Sequence, residues 1–281
     1  MQIFVIGMHR SGTSTLTRVL NLLGASLGDE GKLAFSAPGQ TPDMNAKGLW
    51  ERLDVITVNE RLLQMTDSSW FKVSSLNPDN FDTEGLERFR ESAQAIVAEL
   101  DQQRPWVIKD PRLCLTFPAW ESLVTKPVCV FCLRNPIAIA ASHRERDTFG
   151  MQFGIALWEK YLRCAVRATV DVPRFAVRYE DIMDDPVNVT RALVDRLRGV
   201  GVDGVHEADE EQLRAFVDRD LQHHRYSDED LEEYLTPPQR DLFDDLISGE
   251  AFSANSLRDL SKGAQETLEH GERLVEWLMN G

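Results

Sequence analysis

The feature that most constrains the fold is a glycine-containing loop between an apolar run and a helical pattern near the N-terminus. Residues 3–6 are apolar and predict a buried strand, and leucine and valine then recur at spacings of three and four over residues 16–23, which predicts a helix. A strand, a glycine loop and a helix in this order direct backbone N–H groups and a helix N-terminus toward a phosphate-like anion. The residues expected to bind that anion are Gly7, His9, Arg10, Ser11, Gly12, Thr13 and Ser14.

The loop has the glycine spacing of a nucleotide-binding P-loop but lacks its lysine. Gly7 and Gly12 fit G-x-x-x-x-G, whereas Thr13 occupies the position of the lysine that reaches the β- and γ-phosphates. A positive charge lies inside the loop instead, at Arg10, whose planar guanidinium can hold two oxygens at once. This pattern argues against ATP or GTP transfer. The alternative is a strand-to-helix turn whose glycines only serve geometry, but such a turn needs neither an arginine nor three hydroxyl side chains.

A second cationic position follows the most apolar run of the chain, residues 128–133. Arg134 comes directly after this run, and Pro136 suits the first turn of a helix. Ser142, eight residues after Arg134, therefore falls in the second helical turn. Arg134 and Ser142 can both reach one anion beside the first loop. Taken alone, an arginine after a strand is explained equally well by helix capping or a salt bridge.

Strand and helix patterns alternate along most of the chain. Strands are expected at residues 3–6, 106–109, 128–133 and 175–178, and helices at 13–23, 53–65, 83–102 and 152–170, with another after Pro136. The alternation predicts an α/β fold with three layers, α/β/α, around a central parallel sheet, as in P-loop NTPases, with ligands at the carboxyl ends of the strands. Residues 25–50, rich in Gly, Pro, Ser and Asp, predict a long loop.

The organisation expected is a single domain over residues 1–281, with a core of about 1–198 and a helical C-terminal part of about 199–281. An apolar content of 42% is enough for a full core at this length. The acidic surplus is concentrated in two C-terminal runs, residues 228–233 and 241–250. These runs are interpreted as solvated helix faces.

Composition and charge exclude several kinds of partner. A net charge of −15 disfavours nucleic acid and anionic membrane surfaces. No apolar run approaches the ~20 residues that cross a bilayer, and the first residues form a strand rather than a basic leader, so a cytoplasmic protein without a signal peptide is expected. Cys129 and Cys132 form a C-x-x-C inside an apolar strand, where buried, reduced strand residues are expected rather than a metal site.

Four segments together resemble sulfotransferases that use 3′-phosphoadenosine 5′-phosphosulfate (PAPS), of the bacterial carbohydrate type. Residues 10–14 resemble their [K/R]-S-G-T-[S/T] loop, and Arg134 with Ser142 has the spacing of their 3′-phosphate motif. Residues 109–112 resemble a K-D-P-R segment, and residues 178–182 an R-Y-E-D-[L/I] segment. The resemblance covers roughly residues 3–190, with a partial further match at 221–225. The R-K-G-x-x-G segment of the cytosolic animal enzymes is absent.

The resemblance implies in-line, metal-independent transfer of a sulfuryl group from PAPS, leaving adenosine 3′,5′-bisphosphate (PAP), to a hydroxyl or amine of a carbohydrate or small molecule. Arg10 would neutralise charge on the leaving oxygen, and Lys109 or Arg112 would contact the sulfuryl oxygens or the acceptor. The family implies a general base, for which Glu51 fits best, in a segment like G-[FY]-[WF]-E. Glu30 and His9 are the other two candidates. The side chains that can stack on an acceptor are Trp50, Trp70, Phe71 and Trp158.

Two other functions remain open on the sequence. Lys109-Asp110 ends an apolar run and imitates a Walker B aspartate, which would suit a P-loop kinase-like phosphotransferase. A catalytically inactive protein that binds PAPS or PAP would share the anion-binding residues without transferring the sulfuryl group. Neither the acceptor nor the oligomeric state follows from the sequence.

Overall fold

The protein is built around a four-stranded parallel sheet. The computed structural model describes residues 1–34, 48–217, 226–248, 252 and 256–280. Its strands are β1 (Gln2–Ile6), β2 (Trp106–Lys109), β3 (Pro127–Leu133) and β4 (Arg174–Arg178), in the order β2-β1-β3-β4. Val5 pairs with Lys109 and Ile6 with Phe131, so the segments that follow β1, β2 and β3 leave the sheet side by side.

Helices follow or connect the strands throughout the described residues. They are α1 (Thr13–Leu22), α2 (Leu53–Gln64), α3 (Thr83–Leu100), α4 (Leu113–Glu121), α5 (Pro136–Asp147), α6 (Met151–Ala168), α7 (Tyr179–Asp184), α8 (Pro186–Gly199), α9 (Glu210–Phe216), α10 (Asp228–Tyr234), α11 (Pro237–Ile247) and α12 (Lys262–Asn280). None of the described helices is long and apolar enough to cross a membrane.

The two faces of the sheet carry separate apolar cores, because successive strand side chains point to opposite faces. Phe4, Ile6, Ile108 and Phe131 pack on one face with α2 to α6 and α12. Residues at the alternate positions, such as Val5 and Val130, pack on the other face with α1 and α8. The arrangement confirms the three-layer α/β/α fold with a parallel sheet.

The C-x-x-C pair is divided between these two cores. Cys129 packs in the core with α4 and α6, whereas Cys132 packs in the core with α1, and both are free thiols. Burial raises the pKa of each thiol above its ordinary value. The prediction of buried strand residues is confirmed, and these thiols remain protonated at neutral pH.

The long loop expected over residues 25–50 contains short ordered pieces. Ser26 forms a bridge to Trp106 beside β2, Glu30–Lys32 is a 3-10 turn, and Leu33 forms a bridge to Arg52. Single bridges leave no periodic pattern in the sequence, so pattern analysis cannot detect them. Residues 35–47 lie outside the described residues, as does the segment 221–225.

The C-terminal part packs on the α6 side of the sheet. Gly271 of α12 lies against Phe153, where an added Cβ would come within 2.3 Å of the ring. The carboxylate of Glu272 accepts hydrogen bonds from the backbone N–H groups of Val73 and Ser74, at 2.7 Å each. In α10 and α11 Leu231, Leu242, Phe243 and Leu246 are buried and most of the described acidic side chains are exposed, as the sequence predicted for solvated helix faces.

Candidate active site

The loop after β1 has left-handed backbone at one glycine and at its arginine. Gly12, at the N-terminus of α1, has φ +87°, and Arg10 has φ +68°. Ser11 closes the turn, because its hydroxyl donates to the carbonyl of Met8 at 2.7 Å. α1 starts immediately after Gly12, so its unpaired first N–H groups lie at the carboxyl edge of the sheet.

Gly12 is also the point where the loop meets the R-Y-E-D segment. A Cβ on Gly12 would come within 2.2 Å of Cδ2 of Tyr179, and the Arg134 guanidinium carbon lies 4.9 Å from the centroid of the same ring. Tyr179 therefore fills the space beside the loop and supports Arg134. This contact is a role that the sequence motif alone did not reveal.

Replacing Gly12 with alanine should damage both stability and anion binding. The left-handed conformation costs a non-glycine residue ~1–2 kcal/mol, and the clash would displace Tyr179 and with it Arg134. We expect a lower midpoint of thermal unfolding together with weaker binding of an anion at the loop. Gly263→Ala is the control, because nothing lies within 4 Å of its added Cβ and alanine favours a helix. Equal midpoints for the two variants would contradict this role of Gly12.

Arg10, Arg134 and Ser142 meet across the ends of β1 and β3. Nε of Arg10 donates to Oγ of Ser142 at 2.8 Å, and Nη1 of Arg134 donates to the carbonyl of Arg10 at 2.8 Å. Nε of Arg134 is buried and has no partner among the described residues. Burial lowers the pKa of Arg10, and the charges of Arg146 and Arg134 lower it further. An anion beside these guanidinium groups would offset both effects.

Lys109, Glu51 and Ser14 form a second polar group at the end of β2. Nζ of Lys109 lies 2.5 Å from Oε1 of Glu51 and 3.0 Å from Oγ of Ser14. The Lys109 side chain is 1% exposed and that of Glu51 12%. Ser14 in turn donates to the carbonyl of Leu49 at 3.0 Å, which ties the first turn of α1 to the segment before α2. The structure thus joins residues that lie far apart in the sequence.

The other two charged residues of the K-D-P-R segment, Asp110 and Arg112, are buried. Asp110 is fully buried and accepts hydrogen bonds from Nδ2 of Asn59 and Nη1 of Arg112, both at 2.9 Å. Nη2 of Arg112 pairs with Glu60 at 2.5 Å. These contacts hold the turn after β2, and they engage two of the Arg112 nitrogens with carboxylates.

The remaining base candidates occupy different environments. Burial, with a smaller contribution from Arg112, holds the pKa of His9 well below its usual range, so its ring is neutral at neutral pH. Nε2 of His9 is buried and has no partner among the described residues. Glu30 lies exposed in its 3-10 turn.

The four aromatic candidates divide between the site and the rest of the fold. The ring centroid of Trp70 lies 5.0 Å from that of His9, and Phe71 packs 5.5 Å from Trp70. Trp50 lies under the guanidinium of Arg18, 4.7 Å from ring centroid to Cζ. Trp158 is 2% exposed and belongs to the core. Of the four candidates, Trp70 therefore lies beside His9, and Phe71 packs behind it against Trp70.

A group on α5 was not predicted from the sequence. Nδ1 of His143 lies 2.7 Å from Oδ2 of Asp147, and Nε and Nη2 of Arg146 donate to the two oxygens of the same carboxylate, each at 2.8 Å. The spacing of four residues between Ser142 and Arg146 was the available signal, because it places both on one helix face.

Comparison with known proteins identifies the family. The Sulfotransferase family model matches residues 2–202. The chain is similar to the sulfotransferase domain of the Synechococcus PCC 7002 olefin synthase, with 19% identity, a TM-score of 0.45, and 96% of this chain and 94% of that chain covered. It is also similar to the sulfotransferase STF1 from Mycobacterium tuberculosis H37Rv, with 21% identity, a TM-score of 0.47 and coverage of 84% and 73%.

A third similar structure is the sulfotransferase domain from the curacin biosynthetic pathway, with 16% identity, a TM-score of 0.44, and coverage of 95% of this chain and 96% of that chain. None of the curated proteins compared with the chain matches it. The family match spans the sheet, the glycine loop and the segments that follow β2 and β3. The chain therefore belongs to the Sulfotransferase family of enzymes.

Proposed function

We propose that the protein transfers the sulfuryl group of PAPS to a hydroxyl of a carbohydrate or another small acceptor. The observation that carries the proposal is the link between Arg10, Ser142 and Arg134, which joins the anion loop to the end of β3. PAPS has two anionic ends, and the chain brings a helix N-terminus and two arginines to one edge of the sheet. We also propose that the whole chain acts as one domain and that the protein is cytoplasmic, as its free thiols suit a reducing compartment.

The residues present fit the donor. The loop N–H groups and the start of α1 suit the 5′-phosphosulfate, and the buried, unpartnered Nε of Arg134 suits a phosphate oxygen. Ser142 supplies a hydroxyl to the same 3′-phosphate. The electrostatics agree, because an anion at this place would offset the burial of Arg10.

The catalytic roles follow from the chemistry of sulfuryl transfer. A loose transition state spreads charge over the transferred group and the leaving oxygen, as in phosphoryl transfer, so catalysis consists mainly of positioning and electrostatic stabilisation. Arg10 neutralises the negative charge that develops on the leaving oxygen. Glu51 accepts the acceptor proton, and Lys109 holds its carboxylate beside Ser14 at the start of α1.

The kinase alternative has less support. The carboxylate of Asp110, which would have to imitate a Walker B aspartate, is fully buried and bound by Asn59 and Arg112. The inactive-binder alternative shares every anion contact with the enzyme. It differs only in predicting no transfer to any acceptor.

Arg134→Gln tests the donor assignment through calorimetry with PAP and 5′-AMP. We expect the unchanged protein to prefer PAP, and the variant to lose about tenfold or more in PAP affinity, because a hydrogen bond to a charged group contributes ~1.5–3 kcal/mol. Binding of 5′-AMP should change little, since it has no 3′-phosphate. Arg198→Gln, on α8, is the charge-matched control.

Equal, weak binding of PAP and 5′-AMP by the unchanged protein would contradict the PAPS assignment. A preference for PAP that survives in Arg134→Gln would contradict only the role of Arg134.

A further inference from the structure

A third arginine, Arg146, lies near Arg10 of the loop. It follows Ser142 by four residues on α5, so both lie on one face of that helix. After burial, the charge of Arg146 is the largest cause that lowers the pKa of Arg10, ahead of Arg134. Its guanidinium carbon lies 5.9 Å from the ring centroid of Trp70, which packs on His9. Arg146 is therefore on the His9 side of the loop.

Asp147 holds one edge of the Arg146 guanidinium. Nε and Nη2 donate to its two oxygens at 2.8 Å, and Nδ1 of His143 fixes the carboxylate from the interior at 2.7 Å. Nη1 of Arg146 makes no hydrogen bond to the part of the chain that the structure describes. The Arg146 side chain is 30% exposed. Asp147 thus fixes the guanidinium edge that carries Nε and Nη2, while Nη1 remains available to a ligand.

The helix that carries Arg146 lies on the opposite side of the sheet from α1. α1 packs on one face of the sheet, so a 5′-phosphate at its N-terminus is held from that side. The apolar residues of α5 pack on the opposite face. A 5′-phosphate bound at the N-terminus of α1 would direct its sulfuryl group away from α1, toward the α5 side. Two like charges near each other are disfavoured without an anion between them.

We propose that Arg146 is a further catalytic residue, which contacts the sulfuryl oxygens of bound donor, and that Asp147 is its positioning residue. This inference rests on the proposed function. In the step itself, the acceptor oxygen forms a bond to sulfur as the bond from sulfur to the leaving phosphate oxygen breaks. The electron pair of that bond stays on the leaving oxygen beside Arg10, and the acceptor proton passes to Glu51. Arg146 stabilises the charge on the equatorial sulfuryl oxygens.

Calorimetry with the full chain, without acceptor, separates the sulfuryl contact from the phosphate contacts, because PAPS carries the sulfuryl group and PAP does not. Arg146→Gln should weaken PAPS binding about tenfold or more, as expected for one charged hydrogen bond, and leave PAP binding unchanged. Asp147→Asn should also weaken PAPS binding, by a smaller factor, and leave PAP binding unchanged. Arg144→Gln, an exposed arginine of the same helix turn, should change neither affinity.

The outcomes distinguish failure of the Arg146 contact from failure of the proposed function. Equal loss of PAPS and PAP affinity in Arg146→Gln would overturn the sulfuryl contact in favour of a phosphate contact, and an unchanged PAPS affinity would overturn any contact with the donor. If the unchanged protein binds neither nucleotide, the proposed function fails first and this inference fails with it. A thermal unfolding midpoint measured for each variant excludes misfolding as the cause of a loss.

Discussion

Replacing Arg10 with glutamine will lower kcat for sulfuryl transfer by at least about 10²–10³-fold, the loss typical of one preorganised donor. The guanidinium lies inside the anion loop, and its Nε is oriented by Ser142 at 2.8 Å. It therefore needs no rearrangement when charge develops on the leaving oxygen. The kcat of Arg10→Lys should lie between those of the unchanged protein and Arg10→Gln, because lysine keeps the charge but lacks the planar guanidinium.

Steady-state kinetics with PAPS as the varied substrate checks this prediction. The loss should appear mainly in kcat, since Arg10 acts most strongly in the transition state. Arg88→Gln is the control, because Arg88 lies exposed on α3 and pairs with Glu84. A rise in KM with an unchanged kcat would show that Arg10 only binds the donor.

Glu51→Gln will lower kcat by about 10²–10⁴-fold, the range for removal of a general base, while PAP binding remains. The carboxylate is held by Lys109 at 2.5 Å, close to the start of α1. The variant leaves the Lys109 ammonium without its carboxylate in a buried place, so unfolding should also occur at a lower temperature. The double variant Glu51→Gln, Lys109→Met removes this unpaired charge and should recover stability without recovering activity.

A matched carboxylate variant separates a base from a structural carboxylate. If Glu51 is the base, its variant loses kcat and keeps PAP affinity. Glu30→Gln is the control, because Glu30 is the second base candidate and lies exposed in its turn. A comparable loss of kcat in the Glu30 variant, with kcat retained in Glu51→Gln, would assign the base to Glu30.

Much of the architecture was predictable because it rests on local patterns. β1, β2 and β3 are short runs buried on both faces, and all four strands begin and end within one residue of the expected positions. α4 was missed because it is apolar on nearly all sides and contains Pro118, so it shows no helical period. Trp158 was an acceptor candidate from the sequence, yet it packs in the core. The sequence could not decide this, because an aromatic residue in an amphipathic helix pattern does not reveal which surface it packs on.

The site was predictable where one segment carries the chemistry, and much less so where distant segments meet. The glycine loop and the spacing of Arg134 and Ser142 indicated two anion positions. The ion pair of Lys109 with Glu51 joins residues 58 positions apart, and no periodic pattern encodes such a contact. Arg146 went unnoticed because its place beside Arg10 depends on the packing of α5, not on a motif.

Sulfuryl transfer is tested by incubating the protein with PAPS labelled in the sulfuryl group, a pool of sugar and phenol hydroxyl compounds, and EDTA. Products are separated and the label is followed. The account predicts label in an organic sulfate ester, with an equal amount of PAP formed and both lost in Arg10→Gln. Absence of a labelled ester from every compound of the pool, together with transfer of phosphate from magnesium ATP to an acceptor in a parallel incubation without EDTA, would contradict sulfuryl transfer.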